Sequence, residues 1–323
     1  MARVLITGAT GFIGSHLARA CLARGDEVSV IARPASSLVR LADVSGHIAV
    51  HRLDLAEADR LRTCLAQTRP EIILHAGART RFPAQKDLTD LADSVEENLS
   101  ALIALLSAAA FADVPPRVFV RTGSIAEYGD IETPYVETAR ESPRNAYGAS
   151  ILAGTQYMAM ARPRLPFQAV TARLALTYGP DQSSDFLIPK LIEDFLDEKP
   201  VTIHRPHDRR DLIHVDDVVR ALLLIADDPV SARAVINVGT GDAPKMAEVA
   251  RMLVAMTGAR RELASFGTPA DPPVVLNCDP GKVKATLGWS PQILLPEGLE
   301  RTVQWARQSR TPHSQPVAMG QGA

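Results

Sequence analysis

The sequence predicts an α/β protein: a doubly wound, mostly parallel sheet with a smaller C-terminal substrate-binding lobe. Three observations carry this. Short β-branched runs alternate with helical runs of ten or more residues through the first half of the chain, the pattern of successive strand–helix–strand crossovers. A glycine-spaced segment, "TGATGFIGSHL" (7–17), stands between the first strand and the first helix. After Tyr178-Gly179-Pro180 the alternation loosens and proline-rich connections appear.

The first strand, "RVLIT" (3–7), leads into a helix over 12–25 that stops at Gly25. "EVSVIA" (27–32) and "HIAVHRLD" (47–54) read as the second and third strands, and "ADRLRTCLAQT" (58–68) as the next helix. "EIILHAG" (71–77) is a fourth strand, followed by a long helix over 94–112 and a fifth strand, "RVFVRTGS" (117–124). A helix over 147–161 and a strand over 167–179 close the regular part. Near-continuous apolar strands imply helices on both faces of the sheet. Farther on, helices are expected at 186–197, 215–227 and 244–257, with "AVINVGT" (234–240) returning to the main sheet and 267–282 forming a long irregular connection. The chain thus divides into a dinucleotide-type domain (1–178), a smaller lobe (179–308) and a polar, turn-rich tail (309–323) expected to lack fixed structure.

Apolar residues make up 46% and charged residues 22% of the 323, the balance of an ordinary globular protein. A net charge of −2 offers no electrostatic footprint for nucleic acid or an anionic membrane. No run of 18 apolar residues and no signal-peptide pattern is present, so a cytoplasmic protein outside the membrane is expected. Cys21, Cys64 and Cys278 are too scattered for a disulfide framework or a metal cluster. They read as buried small hydrophobes in a reducing compartment, and no metal site is expected.

Glycines at 8, 11 and 14 allow a tight turn and bring backbone amides against a pyrophosphate resting on the helix N-terminus. Their place at the end of an apolar strand, inside a βαβ unit, separates this motif from any glycine-rich turn. The end of the second strand reports on the coenzyme. NAD sites usually carry an acid there for the ribose hydroxyls. Here Ala32-Arg33 stands, followed by Pro34, Ser36, Ser37 and Arg40. A guanidinium with hydroxyls suits a 2′-phosphate, which favours NADP, with NAD as the alternative. Arg33 stacked on adenine would suit either. Asp54 and Leu55, after the third strand, fall where an adenine amino group is commonly held; alternatively, Asp54 caps the following helix.

Several motifs in order extend this reading: "TGATGFIGSHL" (7–17), "HAGA" (75–78), "NLSAL" (98–102), "GSIAEYG" (123–129), "NAYGAS" (145–150), "RLALTYGP" (173–180), "RRDLIHVDDVVRAL" (209–222), "NVGTG" (237–241) and "KVKATLGWSP" (282–291). With them the chain, over about 2–308, resembles the extended short-chain dehydrogenase/reductases, and within them the sugar-nucleotide epimerase, dehydratase and ketoreductase group. The resemblance implies a Rossmann-type sheet in which Gly8, Gly11, Phe12, Ile13 and Gly14 cradle the pyrophosphate and Ala76, Gly77 and Ala78 line the coenzyme. It implies that Ser124 hydrogen-bonds the reacting oxygen, that Tyr147 is the general acid/base beside the coenzyme, and that Arg210 contacts the phosphates of a nucleotide sugar. Asp216 and Asp217 match a pair that usually caps the following helix. Long helices like 94–112 and 147–161 pair into a dimer's four-helix bundle in the resembling family, so a homodimer is expected; packing on their own sheet would use the same Ala/Leu/Met faces.

Three positions depart from the family pattern. Four residues after Tyr147, where a lysine usually stands one helical turn along, the chain has Ile151. A lysine there would lower the phenol pKa from about 10 toward neutrality and bind the nicotinamide ribose. Each uncorrected pKa unit costs about 1.4 kcal/mol in forming the phenolate. Reduction needs only the neutral phenol as donor and suffers less. After Ser124, the Asp-Glu pair of the 4,6-dehydratases is replaced by Ile125 and Ala126, which argues against dehydration; Glu127 lies two places beyond the serine's neighbour. Leu176 stands where the family usually has an asparagine for the sugar diphosphate. His204, His207 and Arg209 add polar groups near Arg210, for a diphosphate or as a solvated basic loop.

The expected function is an NAD(P)-dependent oxidoreductase acting on a nucleotide-linked keto or deoxy sugar. A ketoreductase of deoxysugar biosynthesis comes first, with Ser124 polarising the carbonyl and Tyr147 donating the proton. An NAD-dependent epimerase that retains its coenzyme is the second reading. A coenzyme-binding protein without redox turnover, motivated by Ile151 and Leu176, is the third.

Overall fold

The computed structural model describes residues 1–310. The expected tail from 311 onward lies outside the described residues, while Ser309 and Arg310 continue the last helix.

Strands β1 (Arg3–Thr7), β2 (Glu27–Ala32), β3 (Ile48–Arg52), β4 (Ile72–His75), β5 (Val118–Ser124) and β6 (Gln168–Leu174) alternate with α1 (Phe12–Ala23), α2 (Ala58–Thr68), α3 (Thr89–Ser94), α4 (Ala101–Ala110) and α5 (Ala146–Ala161). The chain continues through β7 (Leu176–Tyr178), α6 (Leu187–Leu196), β8 (Val201–Ile203), β9 (Arg209–Arg210), β10 (Leu212–His214), α7 (Val215–Asp227), α8 (Pro229–Ala232) and β11 (Val235–Val238). It ends with α9 (Met246–Thr257), β12 (Ala264–Phe266), β13 (Val275–Leu276), α10 (Gly281–Leu287) and α11 (Leu295–Arg310).

The main sheet has seven strands in the order β11-β6-β5-β4-β1-β2-β3, and every pairing in it is parallel. The chain steps outward from β1 to β3, then crosses back to β4 and steps outward the other way. That reversal opens a crevice between the loops after β1 and β4, the place where such sheets bind ligands. Side chains alternate between two cores, as strand geometry requires. Val4 and Ile6 of β1, Ile72 and Leu74 of β4, and Val118 and Val120 of β5 pack with Leu17 and Ala18 of α1 and Leu222 of α7. Leu5, Ile73 and Phe119 point the other way, onto Leu61 of α2, Leu105 of α4 and Met158 of α5. A fully buried side chain of this size stabilises by about 1.5–3 kcal/mol. A third core gathers Ile192 of α6, Leu253 of α9 and Leu299 of α11. The three cysteines are buried, as expected.

The structure corrects two elements. The strand expected over 167–179 breaks at Ala175. Its first part stays in the sheet, where Ala175 N still donates to Val238 O; Leu176 N then turns to Asp211 O at 3.1 Å, and β7 pairs with β10 instead. The helix expected over 94–112 begins at Thr89, widens into a π-helical segment over Val95–Ser100 and ends at Ala110. The returning segment expected at 234–240 is β11, beside β6. Among the described residues no helix is long and apolar enough to cross a membrane.

Candidate active site

The turn after β1 is shaped by missing side chains. Gly8 has φ +74°, and a Cβ on it would stand 2.6 Å from Ala76 C and Gly77 N. A Cβ on Gly14 would stand 2.2 Å from Gly8 O. The three backbones after β1, in α1 and after β4 therefore meet in one place, which brings Ala76 and Gly77 beside Gly8, with Ala78 next in the chain. Gly11 N donates to Gly8 O at 3.0 Å and tightens the turn. Helix α1 starts at Gly11 with no side-chain cap and no acid in its first turn, which leaves the amides of its first turn, at Phe12 and Ile13, to an outside anion. These backbone features fit the pyrophosphate of a dinucleotide.

At the ends of β2 and β3 the other expected coenzyme residues gather. Arg52 donates to the carbonyl oxygens of Arg33, Pro34 and Ser36 at 3.0, 3.2 and 2.6 Å and fixes the loop that carries Arg33 and Ser36. Arg33 is exposed, and its Nη2 donates to Glu97 Oε2 at 2.5 Å. Asp54 does not cap α2. Its Oδ1 accepts from Ala56 N at 2.9 Å, a local turn, while its own N–H donates to Glu57 Oε1 at 2.8 Å. Leu55 packs against the core beneath α2.

Ser124 ends β5. Its Oγ accepts from Ala126 N at 3.1 Å, while its N–H donates to Glu127 Oε1 at 3.1 Å, a reciprocal cap on the single turn that follows. Asn145 caps α5 by accepting from Gly148 N at 2.8 Å, so Tyr147 sits in the first turn of that helix. Gly148 lets the two elements touch, since a Cβ there would lie 2.5 Å from Ala126 O. The result sets the Ser124 hydroxyl beside the Tyr147 phenol. Burial raises the phenol pKa above its ordinary 10; Ser124 and Arg121 pull it down, and Glu127 pushes it up. Ile151, 2% exposed, occupies the next turn.

Beneath this pair lies a group of buried charges that motif reading missed. Glu127 is fully buried. Its Oε2 accepts from Thr155 Oγ1 and Arg173 Nε, both at 2.8 Å. Arg173 also donates to Glu141 Oε1 at 2.5 Å and lies 4.4 Å from the centre of the Tyr128 ring. Burial opposes the Arg173 charge, but Glu127, Tyr128 and Glu141 more than offset it, and its pKa is raised. Arg121 of β5 runs under α5. His75, behind it on β4, is pushed down to about 3 by burial, with the Arg121 charge adding, and its Nδ1 meets Thr7 Oγ1 at 2.6 Å. Arginines inside "VFVRTGS" and "VTARLAL" were the available signal, because a charge in a strand covered on both faces requires a partner. Asn98, in the π-helical segment, exchanges hydrogen bonds with the backbone of Arg79 and donates to Ser150 Oγ at 3.0 Å, tying the loop after β4 to α5.

On the lobe side, Arg210 is largely committed inside the protein. Its Nη2 donates to Asp208 Oδ2 at 2.8 Å and its Nη1 to the carbonyls of Arg209 and Val274, and its side chain keeps 20% exposure. Leu176 N donates to the carbonyl of Asp211, the residue after Arg210. His204, His207 and Arg209 are exposed. The Asp216–Asp217 expectation is corrected: His214 Nδ1 accepts from Asp216 N and caps α7, because Asp217 is drawn off to Arg220 and to the amides of Gln292 and Ile293.

Comparison with known proteins agrees with this geometry. The profile of the NAD dependent epimerase/dehydratase family matches residues 4–239. The dTDP-glucose 4,6-dehydratase of Streptomyces niveus is 29% identical over 95% of this chain and 94% of its own length. The UDP-glucose 4-epimerase of Mycolicibacterium smegmatis is 28% identical over 94% and 98%. Among solved structures, MoeE5 in complex with UDP-glucuronic acid and NAD is 30% identical, covers 95% of this chain and 99% of its own, and superposes with a TM-score of 0.81. On its sheet order, its glycine turn and this match over most of its length, the chain belongs to the NAD-dependent epimerase/dehydratase family of sugar-nucleotide enzymes.

Proposed function

We propose that the protein is a ketoreductase for a nucleotide-linked keto or deoxy sugar, with Tyr147 as proton donor and Ser124 holding the carbonyl oxygen. One observation carries this reading: the half-buried phenol beside Ser124 has its pKa raised by desolvation and has isoleucine where a lysine would make it a base. A phenol whose pKa is raised stays protonated at neutral pH, which suits an acid and hinders a base. A bound nicotinamide dinucleotide supplies the hydride. The Phe12 and Ile13 amides and the Gly8, Gly11 and Gly14 backbone hold its pyrophosphate, Ala76 to Ala78 line it, and Asp54 and Leu55 face its adenine. Arg210 and the elements of 179–308 form the lobe that receives the sugar nucleotide. Ile125 and Ala126 supply no acid pair, which speaks against dehydration despite the similarity to a dehydratase.

The test is consumption of reduced coenzyme by the purified protein with a panel of nucleotide 4-keto sugars. Oxidation with at least one of them is expected; none with any of them sinks the reading. A UDP-sugar epimerase is the second reading, favoured by the mycobacterial relative, and tightly retained NAD(H) with interconversion of UDP-sugars would establish it. For the coenzyme we keep NADP on the strength of Arg33, with Arg52 as a second cation behind its loop, although the NAD in MoeE5 and the Glu97 contact weigh the other way. Arg33→Ala should raise the KM for NADPH about tenfold and leave that for NADH unchanged; an equal effect on both would assign Arg33 to adenine. Leu91, Val95, Tyr157 and Met160 are exposed on neighbouring helices and form the face we assign to a cytoplasmic homodimer. A strictly monomeric mass would refute that assignment.

A further inference from the structure

Position 151 lacks a cation, but the turn that contains it does not. Arg121 leaves β5 three residues before Ser124, is 2% exposed, and reaches α5 from below. Its Nη2 donates to the Ile151 carbonyl at 3.0 Å and its Nη1 to Thr155 Oγ1 at 3.2 Å. Gly154 provides the space, because a Cβ there would stand 2.7 Å from Nη2. Both acceptors are neutral, and among the described residues no carboxylate lies within 4.0 Å of this guanidinium. Glu141 is taken by Arg173, and Glu127, which Arg173 also holds, is reached from Arg121 only through the Thr155 hydroxyl. A neutral side chain could donate to a carbonyl and a hydroxyl at far lower desolvation cost, so holding a charge here calls for an anion that it serves.

Besides Glu127, the phenol oxygen of Tyr147 is the anion this charge faces. From β5 come Arg121 and Ser124, from the following turn Glu127, and from β6 Arg173 behind Glu127. His75 of β4 is neutral at physiological pH, its pKa pushed down to about 3. The π-helical segment packed on α5 contributes Asn98, while its Glu97 is turned to Arg33. Helix α5 itself carries no charged side chain between Tyr147 and its end, and its N-terminus favours negative charge.

We propose that Arg121 supplies, from the sheet, the positive charge that position 151 lacks, and steadies the phenolate left on Tyr147 when the phenol gives up its proton. The inference rests on the reading of Tyr147 as the proton donor. The step balances: a hydride from the reduced nicotinamide goes to the carbonyl carbon, the phenol proton goes to its oxygen, and water later returns a proton to the phenolate. Arg121 touches neither substrate nor coenzyme in this account; it is a positioning residue that acts through Tyr147.

The experiment is the ionisation of Tyr147 in the coenzyme-free protein, read as the tyrosinate absorbance lost in Tyr147→Phe. Arg121→Gln keeps a donor for the Ile151 carbonyl and removes the charge. It should move the titration upward by about one pH unit or more. Arg121→Lys should hold it near the wild-type value, and Arg121→Gln with Ile151→Lys should bring it back down. Should Arg121→Gln fail to fold, Gly154→Ala, which pushes the guanidinium off Ile151, is expected to raise the titration in the same direction. A folded Arg121→Gln or Gly154→Ala protein titrating as wild type overturns the proposal. A protein that reduces no keto sugar yet shows these shifts refutes the reductase reading and keeps Arg121; a reductase whose Tyr147 ignores Arg121 does the reverse.

Discussion

The turn after β1 and the turn after β5 lie on the same edge of one parallel sheet and are built by opposite means. The first works by omission: glycines at 8 and 14 let three backbones meet, and helix amides stay open. The second works by insertion: two arginines and a glutamate are buried beneath Ser124 and Tyr147. Omission is a matter of shape, written in glycines six residues apart even though the backbone they admit comes from after β4. Insertion is a matter of charge, and its partners stand up to 46 residues apart.

The largest expected effect falls on the charged side. Tyr147→Phe should slow reduction by about 10²–10⁴-fold with coenzyme affinity retained, checked by initial rates and a coenzyme titration. An undiminished rate would move the proton donor elsewhere. Next, Glu127→Gln leaves two buried guanidiniums with less compensation and should cost about 3–5 kcal/mol of stability by denaturant unfolding. An unchanged midpoint would mean that the buried charges are better hydrated than their burial implies. Gly14→Ala tests the other turn. Its Cβ would meet Gly8 O at 2.2 Å, so about 1–3 kcal/mol should be lost, chiefly as weaker coenzyme binding. Wild-type affinity in that variant would break the contrast between the two turns. An effect that grows with acidity sits between them. His75 is held down to about 3 when folded and returns to its ordinary 6.5 when unfolded. Below pH 6.5 the unfolded chain therefore binds the extra proton, and stability should fall by about 1.4 kcal/mol per pH unit toward pH 3. His75→Gln should flatten that dependence, read from unfolding midpoints across the same range.

The sheet and the glycine turn were legible because their causes are near in sequence. Apolar runs flanked by helical periodicity forced a covered parallel sheet, and Gly8 and Gly14 constrain one another across six residues. The break at Ala175 was not legible, since it depends on a hydrogen bond from Leu176 to Asp211, a segment that local pattern does not connect to it. The cap of α7 was misassigned because Asp217 has partners at Gln292 and Ile293, far down the chain. Ile151 is legible as a loss, whereas Arg121 is not legible as its counterpart, because a charge within an apolar strand shows only that a partner exists.

The guanidinium of Arg121 lies against the turn that carries position 151, so a charge placed at 151 would be felt at 121. Returning lysine to 151 alone would set a second cation beside a guanidinium that already occupies that turn, so the single reversion is expected to be worse than either the present pair or the exchanged pair. Changing one position at a time passes through a protein with two cations in that turn or with none, so whoever redesigns this site should treat the two positions as one choice.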